Sequence, residues 1–170
     1  MNITKKIHLF SENDSNLTSF INSITLLYPG YTIEAFNNQA TAQYILNTFG
    51  TTGAKSIITN TYNKIQNNEA KVIFGSHVKV FMEGGVFLGM NSSRTSSLQI
   101  NDSDYAVVSI KNKKTPQQRY AMAKNHPALL RAINMNIYNI NYIKIVNRPI
   151  ETLQGGVNFA IKRRYRIRNQ

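Results

Sequence analysis

A chain of 170 residues can bury a single core unaided, and with no cysteine it has no disulfide framework, cysteine zinc site or thiol nucleophile. Its net charge of +12 is segregated: residues 1–104 carry seven Lys or Arg against seven Asp or Glu, and residues 105–170 carry thirteen against Glu151 alone. A one-sign surface repels itself, so this excess points to a polyanionic partner, with nucleic acid ahead of an anionic protein or membrane surface.

In chain order, "KKIHLF" reads as a short strand, too brief an apolar stretch for a signal peptide or a membrane span. The protein is therefore expected to act where it is made. Leu17, Phe20, Ile21, Ile24 and Leu27 follow at helical spacing, with Asp14 or Ser15 as N-cap. "YTIEAF" alternates as a strand, Ala40, Tyr44 and Ile45 give a helix ended by Gly50, and a further helix is expected over about 54–66. This strand, helix, strand, helix order fits a mixed or parallel sheet covered by helices.

The middle reads as β-rich through "KVIF", "HVKVFM" and "VFLGM", with Gly84 and Gly85 placed for a two-residue hairpin turn. A meander continues through "SSLQI" and "YAVVSI". "TPQQRYAMAKN" reads as a helix capped by Thr115, and Pro127 opens another. "YNINYIKIV" reads as a strand. The expected architecture is α+β or α/β: one domain, a mixed sheet with helices packed on it, and a C-terminal basic β-strand. Within it, residues 1–70 form an α/β-like part, 71–110 a hairpin or meander, and 111–170 a basic helix–strand part.

No sequence-local catalytic or metal motif is present. "GTTGAKS" has two residues rather than four between Gly50 and Gly53, and Ala54 separates Gly53 from Lys55, so it departs from a phosphate-binding loop. His8, His77 and His126 are far apart in sequence, and the Asp102 and Asp104 pair lacks the rest of a calcium loop. With eight acids in all, paired carboxylates for acid–base work are not expected. The expectation is no catalytic residue, no metal, no cofactor, no small-molecule substrate and no enzymatic activity.

From Phe159 to Arg168, odd positions read Phe, Ile, Arg, Tyr, Ile and even positions read Ala, Lys, Arg, Arg, Arg. As a strand, this sets Lys162, Arg164, Arg166 and Arg168 along one cationic face, with side chains about 6.6 Å apart. Arginine suits such a face, since its planar fork binds phosphate bidentately and stacks on bases. The candidate nucleic-acid contacts are Lys162, Arg163, Arg164, Arg166 and Arg168, a second cluster of Lys111, Lys113, Lys114, Arg119 and Lys124, and Arg131. Tyr165 either stacks on an unpaired base or packs in the core, core packing being favoured.

Arg131, Ala132 and Ile133, then Pro149 and Ile150, then Lys162, Arg163 and Arg164, resemble in order the C-terminal part of the universal small-subunit ribosomal protein eleven family. The family's Gly-Pro-Gly turn is absent, and "ETLQGG" stands where the family has His-Asn-Gly. The resemblance implies an α/β domain bound to ribosomal RNA. The functional expectation is thus a non-enzymatic structural RNA-binding protein of a large ribonucleoprotein particle, in the cytoplasm or an organellar matrix. The abundance of Asn (22) and Ile (20), which have AT-rich codons, suits an organellar ribosome. It equally suits the alternative, a connector, tail or capsid protein in the virion of an AT-rich phage.

Overall fold

The computed structural model describes residues 2–12, 15–89, 97–109, 119–144 and 152–170. The first strand, β1 (Lys6–Phe10), alternates strictly: Ile7 and Leu9 enter one core cluster and Phe10 enters another. The chain then forms α1 (Leu17–Leu27), β2 (Thr32–Phe36), α2 (Asn38–Phe49) and α3 (Ser56–Lys64). Each is legible from periodicity. The Asn37 side chain caps α2 by accepting the Ala40 N–H at 2.8 Å, and Gly50 ends it at φ 69°. The cap position of α1 falls on Asn16, which makes no side-chain cap, rather than on Asp14 or Ser15.

Residues 68–83 correct the sequence reading. They form one helix, α4 (Asn68–Glu83), and nine of its residues, among them Val72, Phe74, His77, Val78 and Lys79, are buried. A helix covered on nearly all sides has no polar stripe, so its apolar runs imitate strands. Gly84 and Gly85 do take positive φ, 72° and 122°, but as the exit of α4 into β3 (Gly85–Phe87), not as a hairpin. A Cβ on Gly85 would stand 2.4 Å from the Lys6 carbonyl oxygen.

The remaining elements are β4 (Ala106–Ser109), β5 (Arg119–Met122), α5 (Pro127–Tyr138) running into a π-helical turn (Asn139–Ile143), α6 (Thr152–Lys162) and β6 (Arg168–Asn169). The helix expected from "TPQQRYAMAKN" is a strand where it is described, from Arg119, and Thr115 lies outside the described residues. Ser97–Ile100 take no regular structure, and the strand expected from Tyr138 onward is instead the end of α5 and its π turn. His126 caps α5, its Nδ1 accepting the Ala128 N–H at 3.1 Å, with Pro127 in the first turn where a missing N–H costs nothing.

The sheet order is β2-β1-β3-β5-β4-β6, with β5 running against the other five. Phe10, Phe36, Phe87, Val108 and Met122 meet α4, α5 and α6 on one face. Ile7, Leu9, Val86, Val107 and Ala121 meet Ile24 of α1, Tyr28 and Leu98 on the other. A further apolar layer joins α2, α3, α4 and α5 through Ile45, Tyr62, Phe74 and Ile133. The architecture is the expected mixed α+β sheet with helices packed on it, in a single domain.

The C-terminal strand is present but short. Residues 159–162 are the last turns of α6, whose Leu153, Val157 and Ala160 are buried at helical spacing against α5. The two-residue alternation from Phe159 is real but too short to outweigh that longer period. No helix among the described residues is long and apolar enough to cross a membrane.

Candidate functional site

Two regions of the surface carry chemistry, at opposite edges of the sheet. At the carboxyl edge, the chain leaves β1 for β2 on one side and returns as β3 on the other. Open α/β sheets bind ligands outside the strand carboxyl ends, where the winding order reverses in this way. Beside that reversal, between the ends of β1 and β2, a cleft of about 350 Å³ is lined by Ser11, Glu12, Leu17, Phe36, Asn37 and Ala40. The Ser11 N–H donates to the Phe36 carbonyl at 2.8 Å and the Asn38 N–H donates to Glu12 Oε2 at 3.1 Å, so the two strand ends fix each other. Asn38 is held in turn by the Tyr62 hydroxyl, which donates to its carbonyl at 3.2 Å, and by its own side-chain N–H, which donates to Asn68 Oδ1. The cleft thus combines an apolar wall, Leu17 and Ala40, with Ser11, Glu12 and Asn37 as polar groups.

At the amino edge, a cavity of about 430 Å³ lies where the β5–α5 turn meets the segment after α6. Its lining includes Tyr105, Lys124, His126, Arg164, Tyr165 and Arg166. The Arg166 guanidinium lies over the Tyr105 ring at 5.6 Å, and Tyr165 meets His126 edge to face at 6.4 Å. His126 Nε2 stands 3.4 Å from the Arg166 carbonyl, and burial pushes the imidazole below its ordinary range. Next to this cavity, Arg131 of α5 and Arg163 flank one ring, Phe159, at 5.5 and 5.7 Å.

These positions locate the residues expected from the sequence. Lys162, Arg163, Arg164 and Arg166 are exposed around the end of α6, and Lys124 and Arg131 lie exposed on neighbouring elements. Arg168 is not part of that free surface: its guanidinium reaches both Asp104 carboxylate oxygens, at 2.7 and 3.4 Å, and also the Gln99 carbonyl. The hydrogen bond from Arg168 holds the Asp104 carboxyl below its usual value. Arg119 is buried in β5. Lys111, Lys113 and Lys114 lie outside the described residues. The cationic surface is thus a cluster about a helix end, not a ridge along a strand.

A third group is structural. Lys79, only 3% exposed, reaches Glu34 at 2.8 Å and Glu83 at 3.8 Å, while Lys6 meets both acids at 2.5 Å. The network ties β1, β2 and α4 together, with Lys79 also 4.5 Å from the Tyr44 ring centre and 5.3 Å from that of Phe36. His77, fully enclosed in α4, is pushed down to about 3 by burial. Among the described residues no group of three or more His, Asp or Glu is placed to hold a metal ion.

The sequence reading misses Ser11, Glu12, Asn37 and Asn38. Their signal is present, since "SEN" and "NN" directly follow two strands that periodicity identifies, but strand-end polar residues carry no spacing of their own. Tyr105 and His126 are missed because their partners lie some 40 to 60 residues away, at Arg164, Tyr165 and Arg166.

No protein family profile matches the chain, and no curated protein matches it. A solved structure described as PaToxG Glycosyltransferase superposes with a TM-score of 0.59 at 12% identity, covering 95% of this chain and 70% of that one. The likeness is one of fold. It overturns the expectation of a non-enzymatic chain, which rests on the lack of a catalytic motif in linear sequence. Residues separated in sequence build a site just as well, and the fold shared here is one that an enzyme uses.

Proposed function

We propose that the chain is a glycosyl-transfer domain that binds a nucleotide-sugar in the carboxyl-edge cleft. The observation that carries the reading is the agreement between two facts: the fold is shared with a glycosyltransferase over 95% of the chain, and a cleft lies at the strand ends beside the winding reversal. A volume of about 350 Å³ falls within the range of about 300–1,000 Å³ usual for small-molecule sites. Leu17 and Ala40 give an apolar surface for a base or sugar ring, and Ser11 and Glu12 present a hydroxyl and a carboxylate to ligand hydroxyls. The Asn38 N–H fixes the direction of that carboxylate before a ligand arrives, which reduces the ordering cost of binding.

Calorimetric titration with UDP-glucose and with GDP-mannose tests the proposal. Saturable binding of one of them is expected, weakened about tenfold in Glu12→Gln through loss of a charged hydrogen bond. Absence of binding to both nucleotide-sugars, or equal affinity in Glu12→Gln, would count against it. The cationic cavity at the amino edge is a separate surface with separate chemistry.

A further inference from the structure

At the end of α6 the Tyr165 N–H donates to the Ala160 carbonyl at 2.8 Å and the Arg164 N–H to the Ile161 carbonyl at 2.9 Å. This is a Schellman turn, and the residue at its left-handed position is usually glycine. Here it is Arg164, at φ 64°. A side chain in that region is strained relative to glycine, and such strain gathers at functional positions. The local benefit available to these cations, the negative end of the α6 dipole, is already met by Lys162 in the last turn. It does not require Arg164 or Arg166.

What Arg164 and Arg166 have in common is the amino-edge cavity, which Lys124 also lines. Among the described residues lining it there is no carboxylate. Its walls are Tyr105, Ala123, Pro127 and Tyr165, so three cations surround an apolar and aromatic recess. Tyr165 is 47% exposed, so it is not the core residue favoured from sequence. An acidic peptide or a lipid headgroup would call for the cations alone. A base with its phosphate calls for both features: a ring to stack on and guanidinium or ammonium groups for the backbone.

We propose that this cavity receives one nucleotide of a single-stranded nucleic acid, its base against Tyr165 and its phosphates on Lys124, Arg164 and Arg166. The strand continues past the end of α6 toward Arg163 and Arg131, whose like charges share the Phe159 ring. Neutralising phosphate relieves that repulsion.

The test is fluorescence anisotropy of a labelled single-stranded oligouridylate with the full chain, between about 50 and 200 mM salt. The combined variant Lys124→Gln, Arg164→Gly, Arg166→Gln removes three cations while giving the left-handed position the residue it tolerates best, so folding is preserved. The log–log salt slope should fall by about 1.4, at roughly 0.7 for each of the two phosphates flanking the nucleotide that the variant leaves unneutralised. Tyr165→Ala should weaken binding about tenfold with the slope unchanged, which a purely electrostatic or structural role would not produce. Lys5→Gln with Lys55→Gln should leave both quantities as they are. An unchanged slope in the combined variant, tight binding to phosphatidylserine vesicles but not to the oligonucleotide, or displacement of the oligonucleotide by UDP-glucose would each overturn the proposal.

Discussion

Glu34 stands between two lysines, one of them almost fully buried. Burial by itself would raise its carboxyl, but the hydrogen bonds from Lys6 and Lys79 outweigh that and hold it at about 2 against an ordinary value of 4.5. Between those values the unfolded chain binds a proton that the folded chain refuses, so stability rises with pH across this window. The contribution is complete above pH 4.5 and is lost as pH falls through about 2. The urea midpoint of the wild type should therefore exceed that of Glu34→Gln at neutral pH, with the gap narrowing as pH is lowered from 4.5 toward 2. A gap independent of pH would show that the carboxylate contributes through packing alone. Nothing in "YTIEAF" announces this role, since a strand residue alternating toward a partner helix reveals its parity but not the lysine that will meet it.

At the level of elements, α6 packs two glycines against α5, and the two should respond differently to a methyl group. On Gly156 a Cβ would fall 2.0 Å from the Ala128 carbonyl oxygen, which is backbone and cannot yield. On Gly155 it would meet the end of the flexible Met135 side chain at 2.9 Å. Alanine in a helix interior gains about 1 kcal/mol over glycine, whereas overpacking against fixed atoms costs about 1–3 kcal/mol or more. The clash wins at Gly156 and the propensity at Gly155. Gly156→Ala is expected to lower the thermal midpoint and Gly155→Ala to leave it level or raise it; equal effects would mean that the helices are not held at this spacing. The same elements explain what the sequence discloses. From β1 through α3 each helix has one apolar stripe and each strand one clear parity, so periodicity is enough. It fails at α4, which is buried nearly all round, and at Phe159–Arg168, where a helix end, a left-handed turn and an extended segment together imitate one strand.

For the whole molecule, part of the charge segregation along the chain reappears in space among the described residues. Residues 105–170 supply β4 to β6 and α5 and α6, so the exposed excess charge about the end of α6 gathers at the amino edge. The near-neutral first part supplies β1, β2 and the carboxyl-edge cleft. Composition thus locates the cationic surface. It is silent about the cleft, because a small-molecule site needs few groups and none of them perturbs the charge balance. The two proposals therefore rest on separate edges of the sheet.

Backbone amide chemical-shift mapping with UDP-glucose or GDP-mannose, whichever binds in the titration, tests the carboxyl-edge cleft most directly. The prediction is that saturable shifts will concentrate at Ser11, Glu12, Asn37 and Asn38, with Lys124 and residues 164–166 unmoved. Shifts confined to Lys124 and residues 164–166, or none at saturating nucleotide-sugar, would contradict it.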